Sequence, residues 1–235
     1  LGTSGTIFIS SDKFGVDPHN ALHAFAHADG GWHLMGCMLS AASCNQWWCG
    51  DILGTKDYPA EQEAITEDKL GRNSVFFLPY LMGERSPIND TDARGAFVGM
   101  IMDTSRADLT QAVLEGVAFA IRDSFEVAKS LGVAISRSMI CGGGAKSPLW
   151  RKIFANVLGI PLDLPQTEQG PGYGGAVLAM VGCGAFESVQ SACGTLVRVA
   201  STVEPDAELT ARYEERYRKF KTIYPALKII FPALK

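Results

Sequence analysis

A chain of 235 residues, 47% of them hydrophobic, has the composition of a globular protein with a sizeable core, in one large domain or two small ones. Its net charge of −4 argues against nucleic acid as a partner, because a sequence-independent grip on phosphates needs clustered Lys and Arg. The longest apolar runs, Val75 to Met82 and Ala176 to Val181, fall far short of the ~20 residues that cross a bilayer, so no membrane partner is expected and a small-molecule ligand is.

No basic, apolar, small-residue series opens the chain, and an initiator Met is absent. The six cysteines, Cys37, Cys44, Cys49, Cys141, Cys183 and Cys193, form no C-x-x-C pair and no dense scaffold spacing. Reduced thiols and a cytoplasmic location are the expectation.

In chain order, a small-residue turn at Gly2-Thr3-Ser4-Gly5 feeds a β-branched and aromatic run, Thr6 to Ser10, that predicts a strand. A second strand is predicted over Leu22 to His27, with His23, Phe25 and His27 on one face and Asp29-Gly30-Gly31 as its end. From Met35 to Leu53 the apolar positions Leu39, Ala42, Trp47 and Ile52 predict a helix stopped by Gly54. Glu61 to Gly71 reads as a short surface helix and loop, Val75 to Leu78 as a buried strand ended by Pro79, and Gly83 to Arg94 as a polar loop.

Asp108 is expected to cap a long helix through Leu131, with Leu109, Val113, Leu114, Val117, Ala120, Ile121 and Phe125 at helical spacing. Ser138 to Cys141 then predicts a brief strand, with Cys141 a buried strand cysteine, Gly142-Gly143-Gly144 a tight turn, and Pro148 a helix start. Leu162 to Leu164 predicts another strand, and Gly174 to Val181 a small-residue helix able to pack closely. Tyr213, Tyr217, Phe220 and Tyr224 form a stripe that docks a charged C-terminal helix onto the core. Strands alternating with helices indicate an α/β domain.

Two glycine motifs carry the chemistry. Glycine lets backbone N–H groups approach an anion with no Cβ in the way. Gly2-Thr3-Ser4-Gly5 adds two hydroxyls, although four small residues alone also fit a plain hairpin turn. Gly142-Gly143-Gly144-Ala145-Lys146-Ser147 lies between strand and helix, where the helix N-terminus favours phosphate. It matches neither G-x-x-x-x-G-K-[ST] nor G-x-G-x-x-G, and a tight turn without a ligand stays open.

The order of segments is more specific. Gly2 to Gly5 is followed by Phe77-Leu78-Pro79-Tyr80-Leu81 with Gly83-Glu84-Arg85-Ser86-Pro87, then Ala112 to Val117, then Gly142 to Ser147 with Trp150-Arg151. Over roughly Leu1 to Val181 this resembles the C-terminal half of the FGGY carbohydrate kinases. The resemblance implies an α/β, actin-like ATPase (ribonuclease-H-like) fold, a mixed sheet flanked by helices. It implies that residues 1–235 form one ATP-binding domain of a two-domain sugar kinase, with 225–235 as a flexible tail and an N-terminal sugar-binding domain outside this sequence.

The cofactors implied are ATP and Mg²⁺. Gly2, Thr3, Ser4 and Gly5 would approach the nucleotide phosphates, and Gly142, Gly143, Gly144, Ala145 and Ser147 would line the nucleoside site with Lys146 as a neighbour. The Glu84-Arg85 segment resembles one that faces the interdomain region, as an ion pair or a ligand contact. In the family the Asp that takes the sugar hydroxyl proton lies shortly upstream of the segment resembling Gly2 to Gly5. The expectation is therefore a base outside this chain, weak binding of ATP or ADP, and no turnover by this chain alone. The acceptor implied is a ketopentose such as D-xylulose, with ribulose, gluconate or glycerol as alternatives, and a noncatalytic nucleotide-binding or sugar-sensing module as a different class. Self-association through an exposed apolar face, as a homodimer, is a further expectation.

Other constellations count for less. His19, His23 and His27 have i, i+4 spacing that would align three imidazoles on a helix, but the strand reading breaks that alignment and no metal site is expected. Trp47-Trp48 reads as core or interface. Tyr224 to Lys228 is echoed in Phe231 to Lys235, either as native sequence or as an appended segment.

Overall fold

A computed structural model of the chain describes residues 1–234. Its first sheet is built from β1 (Gly5–Ser11), β2 (His23–Ala26) and β3 (Trp32–Met38), all antiparallel in the order β1-β3-β2. Gly5 faces Met38, and Ser11 faces Trp32. Period-two alternation sends Ile7, Ile9, Leu34 and Met38 into the core and leaves Phe8 and Phe25 outside.

The helix predicted over Met35 to Leu53 divides. Met35 to Met38 completes β3, because Leu34, Gly36 and Met38 alternate onto the core face. Gly36 lets the long helix close on the strand, since a Cβ there would stand 3.0 Å from both Ser124 Oγ and a Leu22 methyl. Helical structure begins only at α1 (Ala42–Trp47) and continues as a π-helical turn over Trp48–Ile52. Trp48 is buried, its indole N–H donating to Thr110 Oγ1 at 2.9 Å, while Trp47 is half-buried against Phe77.

After α2 (Tyr58–Glu63), β4 (Phe76–Leu78) pairs antiparallel with β5 (Ala96–Val98), a three-residue strand with no periodicity long enough to announce it. The centre of the fold is α3 (Arg106–Ser130). Its cap is Ser105 rather than Asp108. Ser105 Oγ accepts from the Asp108 N–H, and the Asp108 carboxylate accepts from the Ser105 N–H at 2.9 Å, a capping box shifting the start three residues upstream. Leu114, Val117, Ala118, Ile121 and Phe125 are buried along it.

The second half contains β6 (Ser138–Met139), α4 (Pro148–Leu158), β7 (Leu162–Pro165), α5 (Gly170–Gly182), α6 (Val189–Leu196), β8 (Val199–Val203) and α7 (Ala207–Leu227). β6 and β7 are parallel, and β8 is antiparallel to β7. Among the described residues the cysteines are all free, but Cys141 is exposed, because β6 ends at Met139 and leaves it on the following turn. The α5 glycines pack loosely. A Cβ at Gly172, Gly174 or Gly175 would meet nothing within 4 Å, so close packing is not what they serve.

Tyr213, Tyr217 and Phe220 of α7 are buried around Phe119 of α3, with ring centroids 6.1, 6.0 and 5.2 Å away. The charged helix docks as its stripe predicts. Helix α7 runs through Pro225 to Leu227, and a 3-10 turn at Phe231–Leu234 buries Phe231. Lys235, the last residue of the segment expected as a tail, lies outside the described residues. No helix among the described residues is long and apolar enough to cross a membrane.

Candidate functional site

The two glycine motifs, 140 residues apart in sequence, meet. The main-chain nitrogen of Leu1 donates to the Cys141 carbonyl at 2.5 Å, and the Gly144 N–H donates to the Leu1 carbonyl at 3.0 Å. The segment entering β1 thus lies along the end of β6 and the turn that follows it. Gly142 has φ +94°, a conformation that disfavours a side chain, and a Cβ there would stand 2.7 Å from the Leu1 carbonyl oxygen.

The Gly2-Thr3-Ser4 turn is held from the side by the segment between β3 and α1. The Thr3 carbonyl accepts from Ala41 N–H at 3.0 Å, Ser43 N–H at 3.3 Å and Ser43 Oγ at 2.8 Å, and Ser4 Oγ donates to the Leu39 carbonyl at 3.3 Å. The small polar run Leu39 to Ser43, absorbed above into a predicted helix, is therefore the support of the turn. Its signal was the switch from strand alternation to Ser and Ala. The Thr3 and Ser4 N–H groups take no acceptor among the described residues, and both residues are exposed.

On the other side, residues Gly143–Lys146 form a 3-10 turn that delivers the chain to α4. Ser147 caps that helix, its Oγ accepting from the Trp150 N–H at 3.0 Å while donating to Gln62 Oε1 at 2.5 Å. The Trp150 indole N–H donates to the Leu114 carbonyl at 2.9 Å, so the helix start is anchored on α3.

The ten residues singled out in the sequence divide by exposure. Thr3, Ser4, Gly142, Gly143 and Lys146 are open to solvent, Gly2 and Ser147 are half-buried, and Gly5, Gly144 and Ala145 are buried. At Gly5 and Gly144 the need for glycine comes from packing: a Cβ would stand 2.6 Å from an Ile121 methyl in the first case and 2.7 Å from the Leu1 side chain in the second. At Gly143 nothing lies within 4 Å of such a Cβ. A side chain there would point into open space. Lys146 makes no ion pair among the described residues.

Unpartnered main-chain donors, two hydroxyl residues, the start of an eleven-residue helix and an unpaired ammonium fit a phosphorylated ligand. Among the described residues no three His, Cys, Asp or Glu side chains gather to hold a metal ion. The histidines are engaged otherwise: His27 Nδ1 lies 2.6 Å from Asp29 Oδ1, and His33 stacks between Phe8 and Phe25 at 4.1 and 5.4 Å.

Residues 1–183 match the FGGY family of carbohydrate kinases, C-terminal domain. The xylulose kinase of Escherichia coli is 37% identical over 229 residues, an alignment that takes in 97% of this chain and 47% of that protein. A xylulose kinase structure from Brucella ovis superposes with a TM-score of 0.89 at 38% identity, over 98% of this chain and 47% of that one. A gluconate kinase from Lactobacillus acidophilus, at 23% identity, has a TM-score of 0.89 over all of this chain and 48% of its own, and shares the fold. The chain spans about half the length of these relatives. The architecture is the actin-like ATPase fold that the order of motifs implied, and the chain belongs to the FGGY family of carbohydrate kinases.

Proposed function

We propose that this chain is the nucleotide-holding part of an ATP-dependent sugar kinase, and that the whole protein transfers the γ-phosphoryl group of ATP to a ketopentose, D-xylulose at its 5-hydroxyl. The observation that carries the reading is the joining of the two glycine turns through Leu1. It sets the exposed Thr3 and Ser4 beside the exposed Gly142 and Gly143, as one ligand spanning both would require.

On this reading the Thr3 and Ser4 main-chain donors and the Thr3 hydroxyl face the phosphates, the Ser4 hydroxyl being given to the Leu39 carbonyl, and the 142–147 turn faces the nucleoside. The Ser147 hydroxyl is already committed to its helix cap and to Gln62, so it shapes the turn rather than binding. Phosphoryl transfer depends on alignment and on donors that meet charge developing on the transferred group. Mg²⁺ neutralises part of that charge. Since no three His, Cys, Asp or Glu gather among the described residues, it would reach this chain on the nucleotide phosphates.

The sugar is assigned on the E. coli and B. ovis relatives, since the same fold serves a gluconate kinase. A coupled assay of ADP release by the longer protein would test it across xylulose, ribulose, gluconate and glycerol. Xylulose is expected to give the highest kcat/KM, by about tenfold or more, the effect of ~1.4 kcal/mol of differential transition-state binding. A higher value for any other acceptor would reassign the substrate. ADP binding without turnover on all four would favour a noncatalytic module.

A further inference from the structure

The polar loop opening at Gly83 takes no part in the site as described, yet its first charged residue is buried. Glu84 is 2% exposed and forms no ion pair among the described residues. Its Oε1 accepts from the Leu39 N–H at 2.8 Å and from the Arg85 N–H at 2.7 Å, while Oε2 is buried with no hydrogen-bond partner among the described residues. Ser40 Oγ and Ser86 Oγ are buried and unpartnered as well. The loop itself is pinned, with Glu84 and Asp90 exchanging two main-chain hydrogen bonds and the Ser86 N–H donating to the Cys37 carbonyl. A carboxylate confined this way is costly unless something depends on it.

What depends on it is the other end of the Leu39 residue. Glu84 holds the Leu39 N–H, and the Leu39 carbonyl accepts from Ser4 Oγ; two and four residues on, Ala41 and Ser43 hold the Thr3 carbonyl. One buried side chain therefore fixes the segment against which the whole Thr3-Ser4 turn rests. We propose that Glu84 is a positioning residue for that turn, acting through Leu39 to Ser43 without touching the ligand. Its consequence for binding rests on reading the turn as the phosphate site; the hold itself does not.

Geometry and charge make the hold depend on pH. Burial raises the Glu84 carboxyl to about 7, against the opposing pull of the two main-chain bonds and the Arg85 guanidinium. The other titratable groups facing it, the Cys44 thiol of α1 and the Tyr80 hydroxyl, are both pushed up by burial and by its charge, and stay neutral. The bonds from Leu39 and Arg85 favour the ionised form, but burial outweighs them, so a segment that opens and lets water reach the carboxyl binds the proton less tightly than the held one. The hold is therefore firmest with the carboxyl protonated, below pH 7, and loosens as the pH rises through about 7.

Amide hydrogen exchange followed by NMR from pH 8 to pH 6, corrected for intrinsic rates, tests this without any nucleotide. Protection of Leu39, Ala41 and Ser43 is expected to rise about tenfold in the native chain as the pH falls over this range, as linkage to a carboxyl that titrates near 7 when buried and near 4.5 when open requires. Glu84→Gln keeps an acceptor oxygen but cannot ionise, and is expected to be protected and flat across the range. Glu84→Asp, one methylene short of Leu39, is expected to lose protection at Ala41 and Ser43 at pH 6 as well as at pH 8. The same pH dependence in Glu84→Gln, or native protection in Glu84→Asp, would overturn the proposal. Titrating ADP into native and Glu84→Gln chains over the same range separates the two claims: if neither binds ADP, the nucleotide reading fails, and the exchange data still decide the role of Glu84.

Discussion

Arg216→Met is expected to cost about 3–5 kcal/mol of stability, the usual loss when one partner of a buried ion pair is removed. Glu115, in the middle of α3, is 1% exposed, and Arg216 of α7 is 5% exposed. The Glu115 carboxylate accepts from Arg216 Nη2 at 2.9 Å, Tyr213 Oη at 3.0 Å and Gln111 Nε2 at 2.7 Å. Arg216 also donates to the Val75 carbonyl at 3.0 Å and lies over the Phe76 ring at 4.3 Å, so one side chain ties α7 to α3 and to the start of β4.

Methionine fills much of the volume but leaves the Glu115 charge in the core with only neutral donors. The pair, rather than either member, is what the fold tolerates. Adding Glu115→Leu to Arg216→Met is therefore expected to recover a large share of the loss, since neither member of the pair then leaves a charge at this place in the core. Urea unfolding of the three proteins measures this. A single variant within about 1 kcal/mol of the native chain, or a double variant weaker than the single, would contradict it.

Gly116→Ala is expected to be the most damaging single-methyl change. The ideal Cβ at residue 116 falls 2.2 Å from the Phe77 carbonyl oxygen and 3.1 Å from its carbon, so the obstacle is backbone and cannot swing aside. Either α3 or β4 must move, and β4 carries the buried Phe77 and Leu78 and leads into the Glu84 loop. A loss of at least about 3 kcal/mol is expected, at the upper end of overpacking costs. Gly143→Ala is the control, because its Cβ meets nothing within 4 Å, and it should stay within ~0.5 kcal/mol of native. Equal urea midpoints for the two variants would refute the close approach of α3 to β4.

What the sequence revealed depended on the length of each signal. Helix α3 and the aromatic stripe of α7 each extend over several turns, so periodicity alone found them. The strand, glycine turn and helix at Ser138 to Leu158 were legible because glycine and proline punctuate the chain. Beyond these, local pattern was outweighed by tertiary pairing. Met35 to Met38 reads helical beside Leu39 and Ala42, yet its inner-face residues are chosen by β1 and α3. Strands β5 and β8 and helix α6 are too short to show a period, and exist because a neighbour supplies their partners or because Ser188 caps the start.

The site followed the same rule. The two glycine motifs were visible, but nothing in either says that Leu1 joins them, or that Gly5 and Gly144 are glycines for packing while Gly143 faces open space. Glu84 was visible as a charge on a polar loop and, through the resemblance, as an ion pair or a ligand contact, neither of which places it in the core. Its burial follows from the Leu39 N–H, 45 residues away, finding its acceptor there.

Calorimetric titration of Mg·ADP into the native chain and into Gly143→Val tests the nucleotide reading most directly. A Cβ at 143 meets nothing within 4 Å and the residue has no positive φ to strain, so the variant is expected to unfold at the same urea concentration as the native chain. Saturable heat from the native chain, with affinity lowered about tenfold or more in Gly143→Val, is the expected result, equivalent to ~1.4 kcal/mol of lost binding. Identical isotherms from two equally stable proteins, or no binding heat from the native chain, would contradict it.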